Sequence, residues 1–390
     1  MSELHDHPQT KAVSAIPAAT GQAVSNYSLA KPVERDFALD LLRVSGFALI
    51  LLAHFSGYGL ADYVRLPEIY TVSTGLGLLF FVSGYVLTLR HRRMSSAGEM
   101  LGFVGRRALR ILPLYWLALA TFLVMFVFAK VYHDVDFKPL LPRVLAHIAA
   151  LQVVFEPITP ALFTLWFIGN IVLYYLVFVL LARFAASATK VMLLAALVLG
   201  ICGLARIGLG LFGNRFFIYF PVFILGILAG RVESGLQLSA LALTVLACAT
   251  FAAAAMLWPV RNAIYPDDVV RPRSSLWVDS LRVAFICLVS ILSFAVARAV
   301  SDHSSARIGR IITVLAFSSY AAYLFHRPIL IVLAVILKHG LGLSKASTTW
   351  ALIAAGTPLI FVVSYFLQVA DCRLQRKISP WLVSRRRVTQ

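Results

Sequence analysis

"RDFALDLLRVSGFALILLAHF", residues 35–55, decides the fold class. From Phe37 onward it is leucine, alanine, isoleucine and phenylalanine over the roughly 20 residues that a bilayer-crossing helix needs. Yet the same stretch holds Asp36, Asp40, Arg43 and His54. An Asp or Arg at the centre of a spanning helix costs about 2.5–3.5 kcal/mol on insertion scales. A first span that keeps an acid, a base and an imidazole needs a reason.

The rest of the chain extends the same pattern. Its 390 residues are 60% hydrophobic and only 13% charged, with a mean hydropathy of +0.86. A soluble domain would carry about 25% charged residues. Long apolar runs dominate and strand-like alternation does not, so the expectation is an all-α polytopic membrane protein. About ten transmembrane helices are expected, near 37–58, 71–89, 111–130, 162–182, 191–211, 216–230, 239–258, 276–298, 313–337 and 348–370. Between the third and fourth, the piece "RVLAHIAALQVVF" (143–155) is half-length and could be an interfacial helix. Residues 1–34 are polar, read as a disordered tail, and hold no apolar stretch of a cleavable signal. Residues 372–390 read as a basic tail.

The net charge of +18 takes its meaning from its distribution. With the N-terminus inside, the inner segments hold about twice as many Lys and Arg as the outer ones, which places both termini in the cytoplasm. The positive charge then serves topology and anionic lipid, and nucleic acid is not expected as a partner. Cys202, Cys248, Cys287 and Cys372 show no paired spacing, so neither a disulfide framework nor a zinc site is indicated. His133, Asp134, Asp136 and His147 match no common metal spacing and read as a solvated loop; no metal is expected. No internal repeat of the kind that builds many transporters is visible.

Four stretches carry chemistry. On the first helix, Arg43 and His54 are eleven residues apart, close to three turns, so they share a face about 16 Å apart along the axis. Asp40 lies three residues before Arg43 and can pair with it. The pair could be structural, and His54 could be an interfacial histidine. In "FVGRRALRILPLYW", Arg106, Arg107 and Arg110 stand at the cytoplasmic mouth of the third span. They could anchor the topology or grip phosphates. In "FSSYAAYLFHRPIL", Pro328 interrupts a helix that carries His326, for which packing at a kink is the expected role. In "LLFFVSGYVLTLR", Ser83 and Gly84 suit close helix packing.

Together these stretches resemble, in order, the acyltransferase-3 family of bacterial membrane acyltransferases. "LDLLRVSGFALILLAHF" is similar to its Arg-x10-His signature, "FFVSGY" to its second-span motif and "RRALRILPLYW" to its Arg-x-x-Arg motif. "SYAAYLFHRPIL" is similar to its late Ser-Tyr-x-x-Tyr-Leu-x-His-x-Pro motif. One departure stands out: "TLWFIGNIVLYYL" holds Trp166 and Asn170 but lacks the Glu many members carry on the fourth span. The resemblance implies a transmembrane acyltransferase domain over residues 35–371 in the bacterial inner membrane. Acyl-CoA, by analogy acetyl-CoA, would be a co-substrate, with no permanently bound cofactor. The acceptor would be a sugar or polysaccharide hydroxyl on the outer side, in exopolysaccharide (including cellulose-type) biosynthesis. A polysaccharide synthase or export assembly is the expected protein partner. His54, Arg43 and Asp40 are then the catalytic candidates and Arg106, Arg107 and Arg110 the donor-binding ones. His326, Ser83 and Trp166 are further candidates. The rival readings are a transporter or flippase of a glycolipid or small solute, and a subunit of an export assembly that has lost the chemistry.

Overall fold

The computed structural model describes residues 36–63, 67–127, 140–156, 162–232, 238–261 and 275–384. Among them every regular element is helical. In chain order these are α1 (Phe37–Ser56), α2 (Thr74–Arg90), α3 (Ala97–Val127), α4 (Leu140–Ile148), α5 (Trp166–Phe184), α6 (Ala188–Leu209), α7 (Asn214–Ala229), α8 (Ala240–Leu257), α9 (Leu276–Ser301), α10 (Ala306–Val335), α11 (Lys345–Ala351) and α12 (Thr357–Ser384). A π-helical stretch, Ile69–Ser73, leads into α2, and another, Leu352–Gly356, joins α11 to α12. Nine of the described helical segments are long and apolar enough to cross a membrane; Asn214–Ala229 is a shorter apolar helix. These ten segments coincide with the ten expected spans.

The boundaries differ where charge meets helix propensity. The third span was expected to begin at 111, where hydropathy rises. The helix begins at Ala97 instead, because Arg, Ala and Leu are all good helix formers and the charged turn does not interrupt the backbone ladder. Arg106, Arg107 and Arg110 are therefore about three turns inside α3, not at its first turn. Likewise α10 runs unbroken through Pro328, and α12 carries the helix past Asp371 to Ser384.

α2 is the hub, packed by α1, α5, α7 and α9. Glycine makes this possible. A Cβ on Gly84 would collide with the Phe223 carbonyl of α7, and one on Gly226 with the Phe81 carbonyl of α2. Two backbones thus touch at matched glycines, as helices do in lipid, where close van der Waals packing drives association. This is the role expected for the Ser83–Gly84 step. Gly226→Val should cost about 3 kcal/mol or more from overpacking alone. A thermal melt in detergent measures it; an unchanged midpoint would remove the crossing from the list of fold determinants. Around the crossing lies an aromatic core in which Phe80 sits 4.7 Å from Phe167 and 5.1 Å from both Tyr174 and Tyr219. By contrast, α6 and α8 are mostly exposed and apolar, as helices facing lipid are.

The piece read as an interfacial helix over 143–155 is helical only to Ile148. There Leu151 N–H bonds the Ala146 carbonyl at 2.8 Å and Ala150 N–H bonds the His147 carbonyl at 2.9 Å, the two bonds of a Schellman stop. Ala150 takes the left-handed conformation, φ 54°, that glycine usually fills. Leu141, Leu145 and Ile148 are exposed along one face, while Arg143 and His147 are buried on the other. Tyr115 and Trp116 of α3 hold this short helix by donating to the His147 and Ile148 carbonyls at 2.8 and 3.1 Å.

His147 corrects the expectation of a solvated loop; its three companions, His133, Asp134 and Asp136, lie outside the described residues. It is fully buried. Its Nδ1 lies 2.7 Å from the Arg143 carbonyl, and its Nε2 accepts from Leu162 N–H at 2.9 Å. Both bonds require the neutral ring with the proton on Nδ1, because a carbonyl only accepts. Burial pushes the imidazole down from 6.5 to about 4. The unfolded chain takes up this proton below about pH 6.5 and the folded chain does not. Stability from this site is therefore whole above pH 6.5 and is lost as pH falls towards 4, by ~3 kcal/mol in all. The melting midpoint should drop through that window, and less so in His147→Gln. Equal acid slopes in the two proteins would remove His147 as the cause.

Candidate functional site

α1 begins at a cap. The Asp36 carboxylate accepts from Ala38 and Leu39 N–H at 3.0 and 3.4 Å, satisfying amides that the helix start leaves open. Its second oxygen pairs with Arg298 of α9 at 2.7 Å. Asp36 thereby serves the fold. One turn on, Arg43 Nη1 meets Asp40 Oδ1 at 2.5 Å, the pairing expected from their spacing. Asp40 is buried, whereas the Arg43 side chain keeps 32% of its surface. Nη1 of the guanidinium is thus committed to Asp40.

The neighbours close a ring: α1 packs on α2 and α10, α2 on α5, α5 on α3, and α3 on α10. Of the arginines of α3 in that ring, Arg110 comes within electrostatic reach of α1. Arg110 is close enough to act electrostatically on both Arg43 and the buried Asp371 of α12. Arg107 lies over the rings of Phe103 and Tyr175, 5.4 and 5.6 Å from their centroids, in cation–π contact. Arg106 is exposed. Arg107 and Tyr175 also line a cavity of about 80 Å³ whose other walls are apolar, including Phe103, Ile111 and Val172. Just past the end of α2, His91 is held below its ordinary value by burial and then by Arg107 and Arg106.

At the other end of the same face of α1 stands His54. It is half-buried, and neither ring nitrogen has a hydrogen-bond partner among the described residues. Its ring lies 4.9 Å from that of His326, tilted by 32°. His326 is fully buried, with Phe47 edge-on at 5.8 Å and Tyr323 at 5.9 Å. Tyr323 in turn donates to the Thr164 carbonyl at 2.8 Å. α10 therefore brings a second imidazole against the first, although 272 positions separate them in sequence. Packing at a kink was the expected role of His326, with a second candidacy should it face the same cavity as His54; its ring lies beside that of His54.

The remaining candidates fall outside this pair. Ser83 donates to its own helix at Leu79 O, 2.8 Å, so its hydroxyl is committed to the backbone. Trp166 is buried under the Arg215 guanidinium, 4.6 Å from its ring centroid, and stacks on Tyr219 at 5.8 Å. Arg215 pairs with the buried Glu156 at 2.6 Å. A carboxylate from the α4–α5 connection is thus joined to Trp166 through Arg215, though none lies on the fourth span. On that span Asn170 is fully buried with neither amide atom partnered. Near the start of α9, buried Arg282 donates to Ser73 Oγ at 3.0 Å and ties α9 to the π-helical stretch that leads into α2. Tyr175, Glu156 and the proximity of His326 to His54 were missed by sequence reasoning. Each depends on which helices are neighbours. Among the described residues no group of three or more His, Cys, Asp or Glu could hold a metal ion.

Residues 36–369 match the acyltransferase-3 family model, described as an acyltransferase domain. No curated protein and no solved structure matches the chain.

Proposed function

Because the chain belongs to the acyltransferase-3 family, we propose that it moves an acyl group, by analogy acetyl, from cytoplasmic acyl-CoA to a hydroxyl of a sugar or polysaccharide at the outer side of the bacterial inner membrane. Exopolysaccharide is the preferred acceptor class, with a synthase or export assembly as partner. One observation supports this most. α1 carries Arg43, paired with Asp40 and within electrostatic reach of Arg110 of α3, and about 16 Å along the same face a His54 without a hydrogen-bond partner among the described residues.

In this reading Arg106, Arg107 and Arg110 receive the donor's phosphates, which guanidinium groups hold bidentately. Arg43, fixed by Asp40, guides the thioester arm along α1. Neutral His54 accepts the proton of the acceptor hydroxyl as that oxygen attacks the thioester carbonyl. The C–S bond then breaks, and the departing thiolate takes the proton back from His54. The ester remains on the acceptor and free thiol leaves. Arg43 can stabilise negative charge that develops on the thioester oxygen only if the carbonyl sits low in the ring, so its first role is steering.

The test uses purified protein in lipid nanodiscs with acetyl-CoA labelled in the acetyl group. Release of free thiol, with label passing to added envelope polysaccharide, is the expected result. Protein that neither binds nor consumes acetyl-CoA would favour the transporter reading instead.

A further inference from the structure

His326 holds one nitrogen that no described residue uses. Its Nδ1 lies 2.7 Å from the Tyr323 carbonyl one turn back on α10. A carbonyl only accepts, so Nδ1 carries the hydrogen and donates it there. In the neutral ring Nε2 is then a bare lone pair. That nitrogen is buried and has no partner, in a residue with no exposed surface. Natural interiors leave few such atoms unmet, and each one calls for a cause. The backbone bond also removes the usual freedom of histidine: the ring cannot exchange tautomers without losing its bond to Tyr323. Nε2 is therefore an acceptor only. It calls for a group that donates, such as a hydroxyl or amine, and it cannot bond to a carbonyl, an ether or a phosphate oxygen.

The surroundings locate that donor. The His54 ring is 4.9 Å away and tilted by 32°, and no hydrogen bond joins the two rings. His54 also has both nitrogens open. Thr164, whose carbonyl takes the Tyr323 hydroxyl, carries a second buried and unpartnered atom, Oγ1. Phe47 and Tyr323 wall the imidazole with rings at 5.8 and 5.9 Å and offer it no polar group. We infer that His326 Nε2 binds the acceptor substrate by taking a hydrogen bond from one of its hydroxyls, so that a vicinal hydroxyl is presented to His54. This rests on the acyl-transfer reading above and adds a selectivity: the site would require a diol-like acceptor, not a lone hydroxyl beside ethers.

Two substitutions separate this role from packing. His326→Asn keeps a donor at the Nδ1 position for Tyr323 O and loses the distal acceptor. His326→Gln places an amide oxygen near the lost Nε2. Membranes containing each protein are given labelled acetyl-CoA, and two quantities are read: label passed to envelope polysaccharide, and free thiol released by hydrolysis without acceptor. Transfer should fall by about tenfold to hundredfold in His326→Asn, as for a lost hydrogen bond to a buried group. Hydrolysis should stay near wild type, and His326→Gln should recover much of the transfer. His326→Phe, which keeps the ring volume, replaces the Asn variant if that protein does not elute as a single species. Wild-type transfer in the Asn or Phe variant would overturn the inference. So would an equal fall of transfer and hydrolysis, which marks a structural role. Wild-type protein that consumes no acetyl-CoA would instead overturn the acyl-transfer reading itself.

Discussion

Replacing His54 by alanine is expected to lower acyl transfer by about 10²- to 10⁴-fold, the usual contribution of a positioned general base. Acetyl-CoA affinity should not change. The expectation comes from what His54 lacks. Its nitrogens are bound to no other described residue, so removing the ring leaves no partner stranded. The side chain is half-buried at the end of α1, and the backbone there closes normally, with Gly57 N–H on the His54 carbonyl at 3.1 Å. Folding should therefore survive, which elution as a single species would check. A variant that folds and transfers at the wild-type rate would remove His54 as base. His326, whose ring on α10 lies against that of His54, would then be the next group to test.

Changing Arg107 and Arg110 together to glutamine is expected to weaken acetyl-CoA binding by about 10²-fold or more. A charge-assisted hydrogen bond contributes about 1.5–3 kcal/mol, and two would be lost. Neither residue has a salt-bridge partner within the fold among the described residues: Arg107 rests on aromatic faces, and Arg110 senses Asp371 only at a distance. They are thus available to a ligand at small cost to the fold. Titration of the nanodisc protein with acetyl-CoA gives the answer directly. If affinity is unchanged while the protein's orientation in the membrane is disturbed, the two arginines serve as positive-inside anchors and no more.

Some features were plain from local pattern. Apolar runs marked all ten helical segments, nine of them long enough to cross a bilayer and Asn214–Ala229 shorter, because a backbone in hydrocarbon must satisfy its own hydrogen bonds. The Asp40–Arg43 pair followed from i,i+3 spacing, which depends on one helix alone. The stop after Ile148 did not show, since an alanine, and not a glycine, takes the left-handed position at 150. The start of α3 at Ala97 was missed for a related reason. Hydropathy reports where lipid begins, not where the helix does.

The sequence by itself determined the class of the protein, the order of its spans and the shared face of Arg43 and His54, all of which rest on contacts within a few turns of one helix. Only the tertiary structure decided that α10 sets His326 against His54, that Arg110 of α3 comes within electrostatic reach of Arg43, and that Arg215 joins Glu156 to Trp166. The physical reason lies in how helices meet. Which of them become neighbours is set by backbone approach at sites such as Gly84 and Gly226 and by the aromatic core around Phe80. Those pairings join residues far apart in the chain, and no local period encodes them.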